Sequence, residues 1–193
     1  MRANRCVRVC ARLILLVIVT VAALLAPPPP LFAADAPPAD TDPPATVPAI
    51  GRAWPVGTRP RVLRGWEPPA TVYGPGHRGV DLSAPAGTPV RAVARGRVAF
   101  AGRVAGRGVV SVDLTGTGDP PLRTTYEPVT ATVAEGEEVE PGEVIGTVDA
   151  GGSHCTATCV HWGLRRGEVY MNPLSLLPPW LLHRGPSRLL PLA

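Results

Sequence analysis

The sequence predicts an all-β protein, a compact antiparallel β-sheet or sandwich, and three observations carry that expectation. Between about residues 50 and 178, short valine-rich runs are cut by glycine every several residues. In Val109–Leu114, residues Val110, Val112 and Leu114 share one face and Val109, Ser111 and Asp113 the other, the period-two pattern of a half-buried strand. No window of helical length carries a clean apolar stripe.

In chain order the expected strands are Val90–Ala94, Arg97–Ala101, Val109–Leu114, Leu122–Tyr126, Glu143–Val148 and Val160–Leu164. Gly96, Gly102, Gly106, Gly108, Gly116 and Gly118 are expected to supply turns where φ can be positive. A faint echo links Gly87-Thr88-Pro89-Val90 with Gly136-Glu137-Glu138-Val139, a spacing that suits two hairpins packed alike.

The rest of the chain sets the compartment. Arg2, Arg5, Arg8 and Arg12 precede an apolar run from Leu13 to Leu25, and small residues Ala33 and Ala34 follow. Charge, a short apolar stretch and a small-residue exit describe a secretory signal over residues 1–34. The run is too short for the roughly 30 Å hydrocarbon core; an uncleaved anchor, with the run stretched to include Val7, Val9 and Ala11, is the alternative and the only route to a membrane. Residues 35–49 are a Pro/Ala-rich linker that lacks the apolar content for a core, residues 50–178 the β domain, and residues 179–193 a tail that contains His183. The expected location is therefore secreted, in the cell envelope outside the cytoplasm.

All 19 basic residues are arginine, and four of them lie in the signal. The other 15 balance 15 acids, so the formal charge of +4 belongs to the precursor and argues against a nucleic-acid partner. Cys6 and Cys10 also lie in the signal. Cys155 and Cys159 remain, an even pair in an oxidising compartment, and a turn would bring them within disulfide reach. A metal-thiolate role for Cys159 is the alternative.

Two histidines sit in dense context: Gly76-His77-Arg78-Gly79-Val80-Asp81 and Cys159-Val160-His161-Trp162. A His and an Asp four apart, in a turn entering a strand, can converge as metal ligands, and His161 is a third imidazole on a strand. Such a spacing also arises by chance.

The segment GHRGVDLSAPAGTPVRAVARGRV, followed by VAEGEEVEPGEVIG and HWGLRRGEVYMNPLSLL, resembles the LytM/lysostaphin-type zinc endopeptidases of peptidase family M23 over about residues 70–177. The resemblance implies a β fold of the duplicated-hybrid-motif type, a substrate of bacterial peptidoglycan peptides, and Zn²⁺ held by His77, Asp81 and His161. It also exposes two departures. The family's His-x-His opens on a catalytic histidine where this chain has Cys159. Its Tyr-x-His-Leu pattern falls on Tyr126-Glu127-Pro128-Val129, with proline in the histidine's place.

Three residues are weighed as substitutes. Glu127 is a competent base in chemical type, but alternation relative to Pro128 is expected to turn it away. His154 is expected as an exposed loop residue unless a disulfide folds its loop back. Tyr126 would bring a hydroxyl near the site. Cys159 should share a strand face with His161, Arg165 and Arg166 are expected in a solvated turn, with contact to substrate carboxylates as the alternative, and Trp162 is expected in the core or a pocket wall. Two functions follow: a zinc peptidase of the bacterial wall, or a catalytically degenerate zinc- or wall-binding module that activates another wall hydrolase. A biotinyl- or lipoyl-type carrier is excluded, because the chain has no lysine to modify.

Overall fold

Alternating valines draw the chain into two antiparallel sheets. The computed structural model describes residues 46–182 except Val72, Ser153, Thr156 and Ala157. The expected signal (1–34), most of the expected linker and His183 lie outside the described residues.

The strands are β1 (Val62–Arg64), β2 (Gly79–Ser83), β3 (Pro89–Arg91), β4 (Gly96–Val104), β5 (Arg107–Leu114), β6 (Leu122–Glu127), β7 (Val129–Ala131), β8 (Glu138–Val139), β9 (Val144–Val148), β10 (Cys159–Arg166) and β11 (Val169–Met171). The large sheet runs β1-β2-β10-β6-β5-β4-β8, with β11 paired to the end of β10. The small sheet runs β3-β9-β7. Two short helical turns, Pro173–Leu176 and Pro179–Leu182, follow the last strand.

The all-β expectation holds, with shifts in detail. The run expected over Val90–Ala94 is a strand only to Arg91. Beyond it Ala92 leaves the ladder, donating to Glu143 and accepting from Gly142 through its backbone. Gly87 and Gly136 both take positive φ, 79° and 88°, so the two echoed segments do turn alike. Their strands then diverge: β3 pairs with β9 in the small sheet and β8 with β4 in the large one.

Three neighbouring strands of the large sheet fix the site. Opposite Trp162 in β10 stand Val80 of β2 and Tyr126 of β6. All three are fully buried. The indole N–H of Trp162 donates to Thr124 Oγ1 at 2.7 Å, and that hydroxyl donates to the Gly163 carbonyl at 3.2 Å. Trp54 meets the same indole edge to face, with ring centroids 6.5 Å apart. Thus the largest core side chain has no unsatisfied polar atom, as burial requires.

Gly79 faces Gly163 across the same ladder. A Cβ on Gly79 would stand 2.4 Å from the Trp162 carbonyl oxygen and 2.6 Å from His161 Nε2, so only glycine lets β2 lie this close to the imidazole.

Replacing Trp162 by alanine should cost about 3–5 kcal/mol, because it opens a cavity and strips Thr124 of its donor. Urea unfolding followed by circular dichroism checks this; a loss below about 1 kcal/mol would contradict the packing described.

Candidate metal centre

The register that buries Trp162 turns its neighbour His161 to the opposite face. Asp81 lies directly across from it on β2, and Glu127 directly across on β6. His77 enters from a short bridge in which its backbone exchanges hydrogen bonds with Glu67, at 2.8 and 3.1 Å. The three polar side chains meet. His77 Nε2 lies 3.0 Å from Asp81 Oδ1 and 3.1 Å from His161 Nδ1, and His161 Nδ1 lies 2.9 Å from Asp81 Oδ1.

The protonation pattern says what this triangle suits. His77 Nδ1 lies 2.6 Å from the Gly65 carbonyl oxygen, which only accepts, so Nδ1 carries the proton and Nε2 of the neutral ring presents a lone pair. That lone pair faces a carboxylate oxygen and a second imidazole nitrogen. Three such atoms within 3.1 Å of one another are a donor set that suits a divalent cation. Ligands at about 2.0–2.1 Å from a tetrahedral zinc stand roughly 3.3–3.4 Å apart, close to the three edges observed. The Gly65 carbonyl is placed as the outer partner that would orient His77 as a ligand.

A fourth group completes the cluster. His154 Nε2 lies 3.0 Å from Asp81 Oδ2, the oxygen that the other two histidines leave free. One ligand atom from each of His77, Asp81, His154 and His161 falls within 4.8 Å of all the others. The rings are not equivalent: His77 and His161 have centroids 4.9 Å apart, whereas His154 stands 6.4 Å from the first and 5.6 Å from the second. Asp81 is 2% exposed. Its burial raises the carboxyl pKa, but hydrogen bonds from His161 and His154, with the nearby imidazole charges, outweigh that and hold it at about 2.

Three expectations change here. His154 is not merely an exposed loop residue. Cys155 and Cys159 are disulfide-bonded, with Cα atoms 6.1 Å apart, and that bond folds the loop back over Asp81. Glu127 does not turn away. Register with His161 decides its face, whereas Pro128 lies beyond the end of β6 and so does not set the alternation. The Glu127 carboxylate instead accepts from Arg107 Nη1 at 2.9 Å. Tyr126 belongs to the core face: its hydroxyl accepts from the Val93 backbone N–H at 3.4 Å, away from the histidines. Trp162 is in the core and Cys159 shares the His161 face, as expected.

Sequence reasoning missed Arg107 and the Gly65 carbonyl. Nothing in the chain marks either, because both act through pairings that only the fold creates. Beside His161 and Glu127 opens a cavity of about 680 Å³ that Arg78, Arg123, Arg165 and Tyr170 also line. Arg123 is tied there by a bidentate pair to Asp113, at 2.6 and 2.8 Å.

Residues 75–173 match the family model described as peptidase family M23. The chain belongs to that family. M23 peptidases are zinc metallopeptidases, and the cluster described above is a fitting place for a metal within an M23 domain. An uncharacterized protein of Mycobacterium tuberculosis is 42% identical over 145 residues, covering 72% of this chain and 55% of its own length. The DD-carboxypeptidase/endopeptidase Mpg of Neisseria gonorrhoeae is 36% identical over 103 residues, 53% of this chain and 23% of its own length. The chain thus spans about half, or less, of the curated relatives it matches. Among solved structures, the catalytic domain of lysostaphin from Staphylococcus simulans superposes with a TM-score of 0.51 at 23% identity, over 64% of this chain and 93% of that one, a likeness of fold.

Alkylation of the native protein should leave Cys155 and Cys159 unlabelled until a reductant is added, as read by peptide mass spectrometry. Labelling of either without reductant would contradict the bond. Burial also pushes the Tyr126 hydroxyl up to about 12. A raised pKa leaves stability intact below about pH 10, the unfolded value, and erodes it as pH climbs through about 12, by up to about 3 kcal/mol. Denaturant melts between pH 9 and 12 should show that decline, and Tyr126→Phe should flatten it.

Proposed function

We propose that this chain is an exported zinc peptidase that hydrolyses peptide bonds in bacterial peptidoglycan, with His77, Asp81 and His161 as its metal ligands. The observation that carries the reading is the triangle of donor atoms, 2.9 to 3.1 Å on a side, assembled from sites up to 84 residues apart. That M23 peptidases act on peptidoglycan substrates supports the substrate class, and the disulfide supports an oxidising compartment outside the cytoplasm. The signal of residues 1–34 remains part of this reading.

When bound, zinc supplies Lewis-acid polarisation of the scissile carbonyl and acidifies a water to a pKa of about 7. The chain's own residues do the rest. His77 is locked in one tautomer by Gly65, so its Nε2 needs no reorganisation to bind. Asp81 stays ionised because three imidazoles surround it. The cavity beside His161 receives the substrate, and the guanidinium groups of Arg78 and Arg165 on its wall suit the carboxylates of wall peptides. The Arg107–Glu127 pair keeps that wall next to His161 fixed.

A second reading has specific support. Pro128 and the oxidised Cys159 leave both of the family pattern's catalytic histidines unfilled, which favours a wall-binding module that activates another hydrolase. General acid–base groups are worth about 10²–10⁴-fold in rate, so their loss without replacement would leave little turnover.

One experiment separates the two. The purified exported chain should carry about one zinc, measured by mass spectrometry of the metal, and should release peptides from purified cell walls. Chelator should stop the release, and His77→Ala should lower it at least about 100-fold. Full zinc without release selects the module; a chain that takes up no zinc overturns both.

A further inference from the structure

Among the described residues of the site, His154 stands in the loop between β9 and β10, outside every strand. Gly151 and Gly152 precede it, residues whose backbone can take many conformations. His154 nevertheless lies on Asp81. The covalent path explains how. Cys159 opens β10 two residues before His161, so its side chain leaves the strand on the His161 face, and it is fully buried. Its sulfur bonds Cys155, four residues back, and the residue before Cys155 is His154. The bond therefore returns the loop to the rim of the metal cluster and sets the third imidazole there.

Position and chemistry agree. Asp81 divides its carboxylate, Oδ1 to His77 and His161 and Oδ2 to His154. An ionised carboxylate only accepts, so His154 Nε2 carries the proton and Nδ1 keeps a lone pair. The side chain is 35% exposed, the most open of the three histidines. Its ring stands outside the tight triangle, on the side that solvent reaches. Among the described residues it is the only histidine not in that triangle, and the two sites where the resemblance expects further histidines hold Pro128 and Cys159.

We propose that His154 is the working imidazole beside the metal, and that the Cys155–Cys159 disulfide holds it in place, so that turnover depends on the oxidised state of that bond. The inference rests on the peptidase reading above. Reduction follows ordinary thiol–disulfide exchange: a dithiol gives two electrons and two protons, the S–S bond becomes two thiols, and the dithiol closes to its own disulfide. The freed loop then returns to the many conformers that its glycines allow, and Asp81 Oδ2 loses its partner. Asp81 and His161 pair in the β2–β10 ladder and His77 on its bridge to Glu67, all through backbone hydrogen bonds; of the two cysteines only Cys159 lies in that ladder, at its end, so reduction leaves those pairings and metal binding in place.

The test uses the full exported chain loaded with zinc. Reduction by a dithiol that does not strip the metal should lower kcat for peptide release by about 100-fold or more, with KM within a few-fold and bound zinc unchanged. His154→Gln should show the same loss and no further fall on reduction. Nitrogen-15 spectra of the histidine rings give a readout that needs no turnover: reduction should move the His154 signals and leave those of His77 and His161. The proposal is overturned if the reduced chain keeps its rate, if His154→Gln still responds to reduction as the natural chain does, or if the His154 signals stay in place. Should the oxidised chain release no peptide, the peptidase reading fails by itself. Movement of the His154 signals then still upholds the disulfide's hold on the ring, and their constancy overturns it.

Discussion

The site depends on one register. β10 lies between β2 and β6 so that His161, Asp81 and Glu127 form a row across the large sheet, and Trp162, Val80 and Tyr126 form the next row on its other side. Side chains alternate along a strand, so a slip by one residue would drive Trp162 into solvent and the imidazole into the core. Exposing an indole of this size alone costs several kcal/mol at about 25 cal/mol per Å². The hydrogen-bond chain from Trp162 through Thr124 to Gly163 fixes the same alignment with directional contacts. The candidate metal site thus borrows its geometry from the core beneath it. Gly79 completes the arrangement by letting the backbone of β2 pass under the His161 ring.

How much of this was legible in the chain differs from residue to residue. The all-β class was, because Val109–Leu114 displays its alternation openly. The triple of His77, Asp81 and His161 was legible through the resemblance and only weakly through spacing. β2 was not legible as a strand: Gly79–Leu82 is buried on both faces, so no period-two pattern marks it. β1, β7, β8 and β11 were missed for another reason, being only two or three residues long. Glu127 was assigned to the wrong face by counting from Pro128 along a strand that stops before it. Pairing with β10, a partner more than thirty residues away, decides that face instead. Tyr126 failed as a site candidate for the same reason, since the pairing that brings Glu127 to the cavity sends its neighbour into the core.

His154 is the instructive residue. Its position follows from no periodicity, since it stands on a glycine-containing loop outside any ladder. A covalent bond between two cysteines four residues apart makes the placement, the alternative that the sequence places second to an exposed loop residue. The division of labour is physical. Residues on paired strands hold their geometry through backbone hydrogen bonds and core burial, so ligands placed there are preorganised for a metal that demands fixed angles. A loop residue has no such support, and ordering it costs conformational entropy on the order of 1–2 kcal/mol per residue. A short disulfide restricts the loop before any ligand arrives, which removes most of that cost from the binding or reaction step. His161 and His77 are kept at the centre by ladder and bridge, so a third imidazole on a loop needs a different anchor, and in the reading proposed above the Cys155–Cys159 bond is that anchor.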